Sequence, residues 1–165
     1  MLRFETLWKN HPTIKGEPPL LNIGAYQNQC AINMHACLER SGANLKTFQG
    51  VLSWEKNKPK YAIRAQELAN WLSGPFARTS LPFSVEKHSG KDAFDKINGR
   101  GIIFFQNYWG PGNQGDHIDL WDGSRLTDWF TWVRIHARIG TFGVHSITPL
   151  SDLEKSQSVW FWRVL

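Results

Sequence analysis

The chain lacks a long hydrophobic segment. None of its apolar runs approaches the about 20 residues that a membrane-spanning helix needs. Its first residues, MLRFETLWKNHP, alternate apolar and charged side chains, whereas a secretion signal requires an uninterrupted apolar stretch. We therefore expect neither an export signal nor binding to a membrane.

Runs of basic residues are also missing. Lys and Arg outnumber Asp and Glu by 19 to 14, and the resulting formal net charge of +5 favours an anionic partner. However, the basic residues are scattered and never form a run of five, so a nucleic-acid partner is not implied. With 165 residues, of which 41% are hydrophobic, the chain can bury the core of one domain, and we expect that domain to span residues 1–165.

Cysteine is scarce, and the spacing of the two cysteines excludes a disulfide between them. Cys30 and Cys37 are seven residues apart. On one helix this spacing gives a rise of about 10 Å, beyond the roughly 7 Å limit between bridged Cα atoms. The spacing matches no zinc motif, so we expect no metal and no cofactor. Cys37 lies on the apolar face of the predicted helix and is expected to be a core residue.

Hydrophobic periodicity predicts helices in the first part of the chain and strands in the second. Helical patterns give way to continuous apolar runs such as GIIFFQ, which are typical of buried strands. This order predicts an α+β fold, in which N-terminal helices pack on a mostly antiparallel β-sheet. The predicted helices are 2–8, 30–40, 64–72 and 91–97, and the predicted strands are 101–106, 117–121 and 158–164.

A cysteine at the start of a helix is suited to nucleophilic chemistry. The free N–H groups and the positive end of the helix dipole stabilise a thiolate there and can bind the oxyanion of an acyl-transfer intermediate. Cys30 occupies this position. His117 is the best candidate for its base, because it begins a strand directly after the glycine-rich loop YWGPGNQGD. The structural alternatives are a buried small side chain for Cys30 and a hydrogen-bonded loop residue for His117.

Two further residues near His117 have more than one interpretation. Side chains two residues apart on a strand lie on the same face, so Asp119 is expected on the face of His117. It could orient the imidazole, bind a metal together with it, or make a structural hydrogen bond. Trp109, in a Gly/Pro loop, is a candidate wall of a substrate groove.

Four segments of the sequence resemble a known family. LWKNHP, NQCAINM, GIIFF and above all GDHIDLWDGSRLTD are similar to the fourth family of type VI secretion amidase effectors, which are bacterial peptidoglycan amidases with an NlpC/P60, papain-like fold. The resemblance extends from about residue 4 to the final strand. It implies that Cys30 is the catalytic cysteine, that His117 is the catalytic histidine, and that Asp128, 11 residues after His117, completes the triad.

The resemblance also implies a substrate, partners and a place of action. The substrate would be the peptidoglycan stem peptide, cleaved between γ-D-glutamate and meso-diaminopimelate. The protein would be made in the cytoplasm, secreted by the type VI apparatus and active in the periplasm of a rival, with a cognate periplasmic immunity protein protecting the producer. This chain departs from the family at Asn33, where Arg is usual, and it lacks the cysteine pair that some members carry near the catalytic loop.

Some details of this mechanism stay open. The N–H of Cys30 would bind the oxyanion, and a second donor would come from Tyr26, Gln27 or Asn28, which lie just upstream of the nucleophile. Two other functions are alternatives. One is a non-enzymatic cell-wall-binding module that uses the aromatic residues, and the other is a cysteine protease or acyltransferase that acts on protein.

Overall fold

The helices precede the strands along the chain. The computed structural model describes residues 2–81, 83–90, 92–109, 115–128 and 158–165, and the side chains of 78–80, 107–109 and 115 lie outside that description. The elements are α1 Phe4–Asn10, α2 Cys30–Arg40, α3 Ala65–Ser73, α4 Pro75–Ser80, β1 Val85–Ser89, β2 Gly101–Trp109, β3 Gly115–Trp121 and β4 Ser158–Arg163. No helix within these ranges is long and apolar enough to cross a membrane.

The four strands form one sheet in the order β1-β4-β2-β3. Each neighbouring pair is antiparallel, and β4, although last in the sequence, lies between β1 and β2. Among the described strands, β3 is therefore at one end of the order. Together with the preceding helices, this arrangement confirms the predicted α+β fold.

Both faces of the central strands are buried. On one face, Phe104 of β2 and Trp162 of β4 pack in the cluster that also contains the apolar residues of α2 and α3. On the other face, Phe105 and Phe161 belong to a second cluster. A strand covered on both faces requires a continuous apolar run rather than an alternating pattern, which explains GIIFF and VWFW.

Helix α2 has the bounds that the sequence predicts. It begins at Cys30, and Ser41 caps its C-terminus, followed by Gly42 in a left-handed conformation with φ of 93°. Cys37 has no exposed surface, and its thiol donates a hydrogen bond to the carbonyl oxygen of Leu7 over 3.2 Å. The prediction that Cys37 is a core residue is confirmed.

The predicted helix at 91–97 is wrong. Among the residues described there, only Phe94–Lys96 form a helical turn, and it is of the 3-10 type. The ring of Phe94 stacks on Phe105 at a centroid distance of 6.0 Å and meets Trp121 edge-on at 5.2 Å. These contacts hold the segment against the sheet, so tertiary packing overrides the local helical pattern.

Two short elements were not predicted, and two predicted strands are longer than expected. Helix α4 has six residues, and β1, with the sequence VEKHS, carries mostly polar side chains. Strand β1 forms because β4 offers it a free edge, to which all five of its residues pair. Such pairing partners are not visible in a local pattern.

Candidate active site

Cys30 occupies the first position of α2, at the end of a loop whose shape is held by side-chain amides. Gln29 Nε2 donates to the carbonyl oxygens of Tyr26, at 2.7 Å, and of Leu21, at 3.4 Å. The backbone N–H of Cys30 donates to Asn28 Oδ1 over 3.1 Å. The cysteine itself is only half-buried. The nucleophile candidate is thus held at a helix N-terminus and remains accessible.

Asn28 also joins this loop to the strand that carries His117. Its Nδ2 donates to the carbonyl oxygen of Asp116 over 3.3 Å, although the two residues are 88 positions apart in the sequence. The same side chain therefore contacts the residue before His117 and the N–H of Cys30. It holds the two segments that carry the candidate nucleophile and base next to each other.

His117 lies between a thiol and a carboxylate. Its Nε2 is 3.4 Å from Asp119 Oδ2, and the Cys30 thiol lies close enough to affect its protonation. Burial by itself would lower the pKa of His117, but the interactions with Asp119 and Cys30 outweigh it and raise the pKa to about 10. The imidazole is consequently protonated at neutral pH, which is the form that stabilises a neighbouring thiolate.

Asp119 is a buried carboxylate with several donors. Only 2% of its surface is exposed. Its Oδ1 accepts hydrogen bonds from the Thr127 hydroxyl over 2.5 Å and from the Leu120 N–H over 2.7 Å, while Oδ2 faces His117. Burial would raise the pKa of Asp119, but these donors and the nearby imidazoles of His117 and His11 lower it overall. Asp119 therefore carries its negative charge inside the protein.

The other carboxylate considered, Asp128, lies at the end of the segment that follows β3. That segment returns to the sheet through a bridge between Leu126 and Trp121, and Asp128 is half-buried. The role that the resemblance implies for Asp128 stays a prediction, and the structure places the Asp119 carboxylate 3.4 Å from His117.

The remaining predicted site residues lie around the cysteine loop. Tyr26 is buried, its hydroxyl accepts the N–H of Trp54 over 2.9 Å, and its ring packs on the Trp54 ring. Gln27 and Asn28 are exposed. The backbone of Trp109 pairs with Gly115 in the sheet, but the Trp109 side chain lies outside the described part of the chain.

Sequence reasoning missed two residues of this cluster, His11 and Thr127. His11 follows α1 and is 2% exposed, and its Nε2 lies 3.7 Å from Asp119 Oδ1. Thr127 donates to the same oxygen atom. Neither residue carries a spacing signal, because their proximity to Asp119 depends on how α1 and the segment after β3 pack. Among the described residues, no group of three or more His, Cys, Asp or Glu side chains could hold a metal ion.

The arrangement of helices packed on an antiparallel sheet, with a cysteine at a helix start beside a histidine on a strand, is shared with solved structures. Solved structures with this fold include the type VI effector Tae4 from Enterobacter cloacae, with a TM-score of 0.61 and 17% identity, covering 100% of this chain and 98% of that one. Tae4 from Salmonella typhimurium, in complex with the immunity protein Tai4 from Enterobacter cloacae, matches with a TM-score of 0.58 and 17% identity, covering 100% and 99%. These similarities confirm the predicted fold.

The family itself is shown by the sequence. Residues 26–162 match the family described as type VI secretion system amidase effector protein 4 (Tae4), and this range spans most of the chain. No curated protein matches. The chain belongs to the Tae4 family of type VI amidase effectors, as the resemblance of its motifs predicts.

Proposed function

We propose that this chain is an antibacterial peptidoglycan amidase that hydrolyses the bond between γ-D-glutamate and meso-diaminopimelate in stem peptides. The observation that carries the proposal is the His117 imidazole, which lies 3.4 Å from Asp119 Oδ2 and next to the Cys30 thiol, in a member of an amidase effector family. The net charge of +5 suits a polyanionic cell-wall polymer.

The chemistry is acyl transfer through a thioester. The Cys30 thiolate attacks the amide carbonyl, and a tetrahedral intermediate forms. Protonated His117 then gives its proton to the amine of diaminopimelate, the C–N bond breaks, and a thioester to γ-D-glutamate remains. Neutral His117 next removes a proton from water, whose attack on the thioester releases the acid and regenerates the thiolate–imidazolium pair.

The oxyanion of the intermediate would be bound at the start of α2. The N–H of Cys30 is the first donor, and in the free protein it is occupied by Asn28 Oδ1 at 3.1 Å. Substrate therefore has to displace the Asn28 oxygen from this N–H. Tyr26, Gln27 and Asn28 remain the candidates for a second donor.

The biological setting follows from the family. We propose that the protein is exported by the type VI apparatus from the producing cytoplasm and acts in the periplasm of a target bacterium. Solved relatives include complexes of Tae4 with the immunity protein Tai4. We expect a cognate periplasmic immunity protein for this chain as well.

The function is tested by digesting purified sacculi and identifying the products by mass. We expect fragments that end in a γ-D-glutamate carboxylate, together with peptides that begin with a free diaminopimelate amine. A synthetic peptide with the same two residues joined through the α-carboxyl of glutamate is the matched control and should stay intact. Binding to sacculi without new fragments would instead favour a non-enzymatic cell-wall-binding module, and cleavage of unfolded protein with intact stem peptides would favour a protease.

The identity of the orienting carboxylate is a separate prediction. Asp119→Asn removes the negative charge next to His117 with little change in volume. We expect kcat/KM to fall, but by a factor about 100 times smaller than the factor caused by removing the nucleophile. The base remains in this variant, but its imidazole is no longer oriented or kept protonated by a carboxylate. Asp128→Asn is the matched variant, and we expect it to cost less, because Asp119 Oδ2 lies 3.4 Å from the His117 imidazole.

The comparison is read from kcat/KM, with thermal unfolding as a check that each variant is folded. The resemblance implies the opposite order. If Asp128→Asn is the more harmful of the two, the spacing of 11 residues has identified the third member correctly and Asp119 is a structural residue.

A further inference from the structure

A second buried histidine, His11, lies next to the Asp119 carboxylate of the candidate active site. His11 lies in the loop after α1, and its Nε2 is 3.7 Å from Asp119 Oδ1. The carboxylate of Asp119 therefore stands between two imidazoles, with His11 facing one oxygen and His117, at 3.4 Å, facing the other. The acyl-transfer steps proposed for Cys30 and His117 give His11 no role.

The hydrogen bonding of His11 determines where its proton lies. Its Nδ1 accepts the backbone N–H of Thr13 over 3.3 Å, so Nδ1 carries no proton. In the neutral ring the proton is then on Nε2, the nitrogen that faces Asp119. Burial lowers the pKa of His11, the negative charge of Asp119 opposes that effect, and the positive charges of His117 and Arg40 add to it, so His11 stays neutral.

The two carboxylate oxygens of Asp119 have different partners. Thr127 and the Leu120 N–H occupy Oδ1, and the Nε2–H of His11 points to the same atom. Helix α2 contributes two further groups. The Cys37 thiol lies close enough to Asp119 for the carboxylate to raise its pKa, and Arg40 lies close enough to His11 to lower the pKa of the imidazole. Since the donors gather on Oδ1, Oδ2 is left for His117.

We propose that His11 is a positioning residue: its Nε2–H faces Oδ1 of Asp119, favours the ionised form of this carboxylate and leaves Oδ2 to orient the His117 imidazole. This inference rests on the proposed function of Cys30 and His117. At 3.7 Å this N–H is too far away for a hydrogen bond and acts on Oδ1 electrostatically, an effect that burial strengthens.

The test uses variants of His11 in the full chain. His11→Phe keeps a ring but removes the N–H, and His11→Ala repeats the test with a small side chain. His11→Gln keeps an amide N–H close to the position of Nε2. We expect kcat/KM on muropeptides to fall about tenfold in the Phe and Ala variants, the lower end of the range for residues that orient a functional imidazole at one remove. The Gln variant should recover most of the activity.

A pH profile separates positioning from a structural role. The rate of Cys30 alkylation by iodoacetamide is measured against pH, and peptide mass mapping distinguishes Cys30 from the buried Cys37. Without the His11 donor, the carboxylate of Asp119 is less stable and takes up a proton at higher pH. We therefore expect the acid limb of the profile to move upward by on the order of one pH unit in His11→Phe, and to stay in place in His11→Gln.

His35 is the matched control, because it is another buried histidine with the same pattern of contacts. Its Nδ1 accepts the Ala62 N–H over 2.9 Å, and its Nε2 lies 3.4 Å from Glu39. It lies in α2 and does not contact Asp119 among the described residues. His35→Phe should lower the midpoint of thermal unfolding and leave the alkylation profile unchanged.

The outcomes distinguish this proposal from the proposed function. An acid limb that stays in place in both His11→Phe and His11→Ala, or that moves equally in His35→Phe, would overturn the positioning role. Because alkylation needs no substrate, an upward shift in a protein that leaves stem peptides intact would support the His11 role and reject the proposed reaction. Cleavage of stem peptides without any shift of the alkylation profile in the His11 variants would support the proposed reaction and reject the His11 role.

Discussion

Cys30→Ala should abolish the digestion of sacculi while leaving the protein folded. Loss of the nucleophile in a hydrolase whose catalytic groups act as a unit lowers kcat by at least about 1,000-fold, and we expect that scale here. The side chain is half-buried at a helix start, so its removal deletes little packing. The measurement is the release of soluble muropeptides, with circular dichroism and thermal unfolding as the checks on folding.

Cys37→Ala is the control within the same helix. Cys37 is completely buried, and burial, with a further contribution from the charge of Asp119, raises the pKa of its thiol well above the usual range. It is therefore a protonated core side chain, and its loss should cost about 1 kcal/mol in the free energy of unfolding. Turnover should be retained. Substantial activity in Cys30→Ala would place the nucleophile elsewhere.

The second large effect is expected for His117→Ala. This change removes the group that stabilises the thiolate and protonates the leaving amine, so the loss should equal that of Cys30→Ala. Alkylation of Cys30 at neutral pH should also slow, because the neighbouring imidazolium is gone. Hydrolysis close to the wild-type rate would mean that another group is the base.

The pH dependence of stability follows from the same imidazole. The folded-state pKa of His117, about 10, lies above the ordinary value of 6.5, so the protonated form contributes stability that is fully present below pH 6.5 and is lost as the pH rises through about 10. The wild type should therefore be more stable than His117→Ala at pH 6, and this difference should shrink towards pH 10. Thermal unfolding of both proteins over this range is the measurement. Activity of the wild type should decline over the same alkaline range, because the imidazole can no longer protonate the leaving amine.

The sequence predicted most of the fold because its strongest signals are local or strongly apolar. Helix α2 has its predicted bounds, Cys30–Arg40, since an apolar face and the Ser41–Gly42 stop act within the helix itself. The strands β2 and β4 were visible as continuous apolar runs. Strand β1 was not visible, because its pairing with β4 compensates for a polar sequence.

The candidate site divides in a similar way. The sequence by itself determined that a thiol begins α2 and that a histidine lies on a strand after a glycine-rich loop, and the motifs around Cys30 and His117 identified the family. Only the tertiary structure decided which groups surround the imidazole. Asp119 Oδ2 is 3.4 Å from His117, and His11 and Thr127 reach the other oxygen of the same carboxylate. These contacts depend on how α1 and the segment after β3 pack around β3. Distances between segments so far apart in the chain are set by the fold and not by any local pattern.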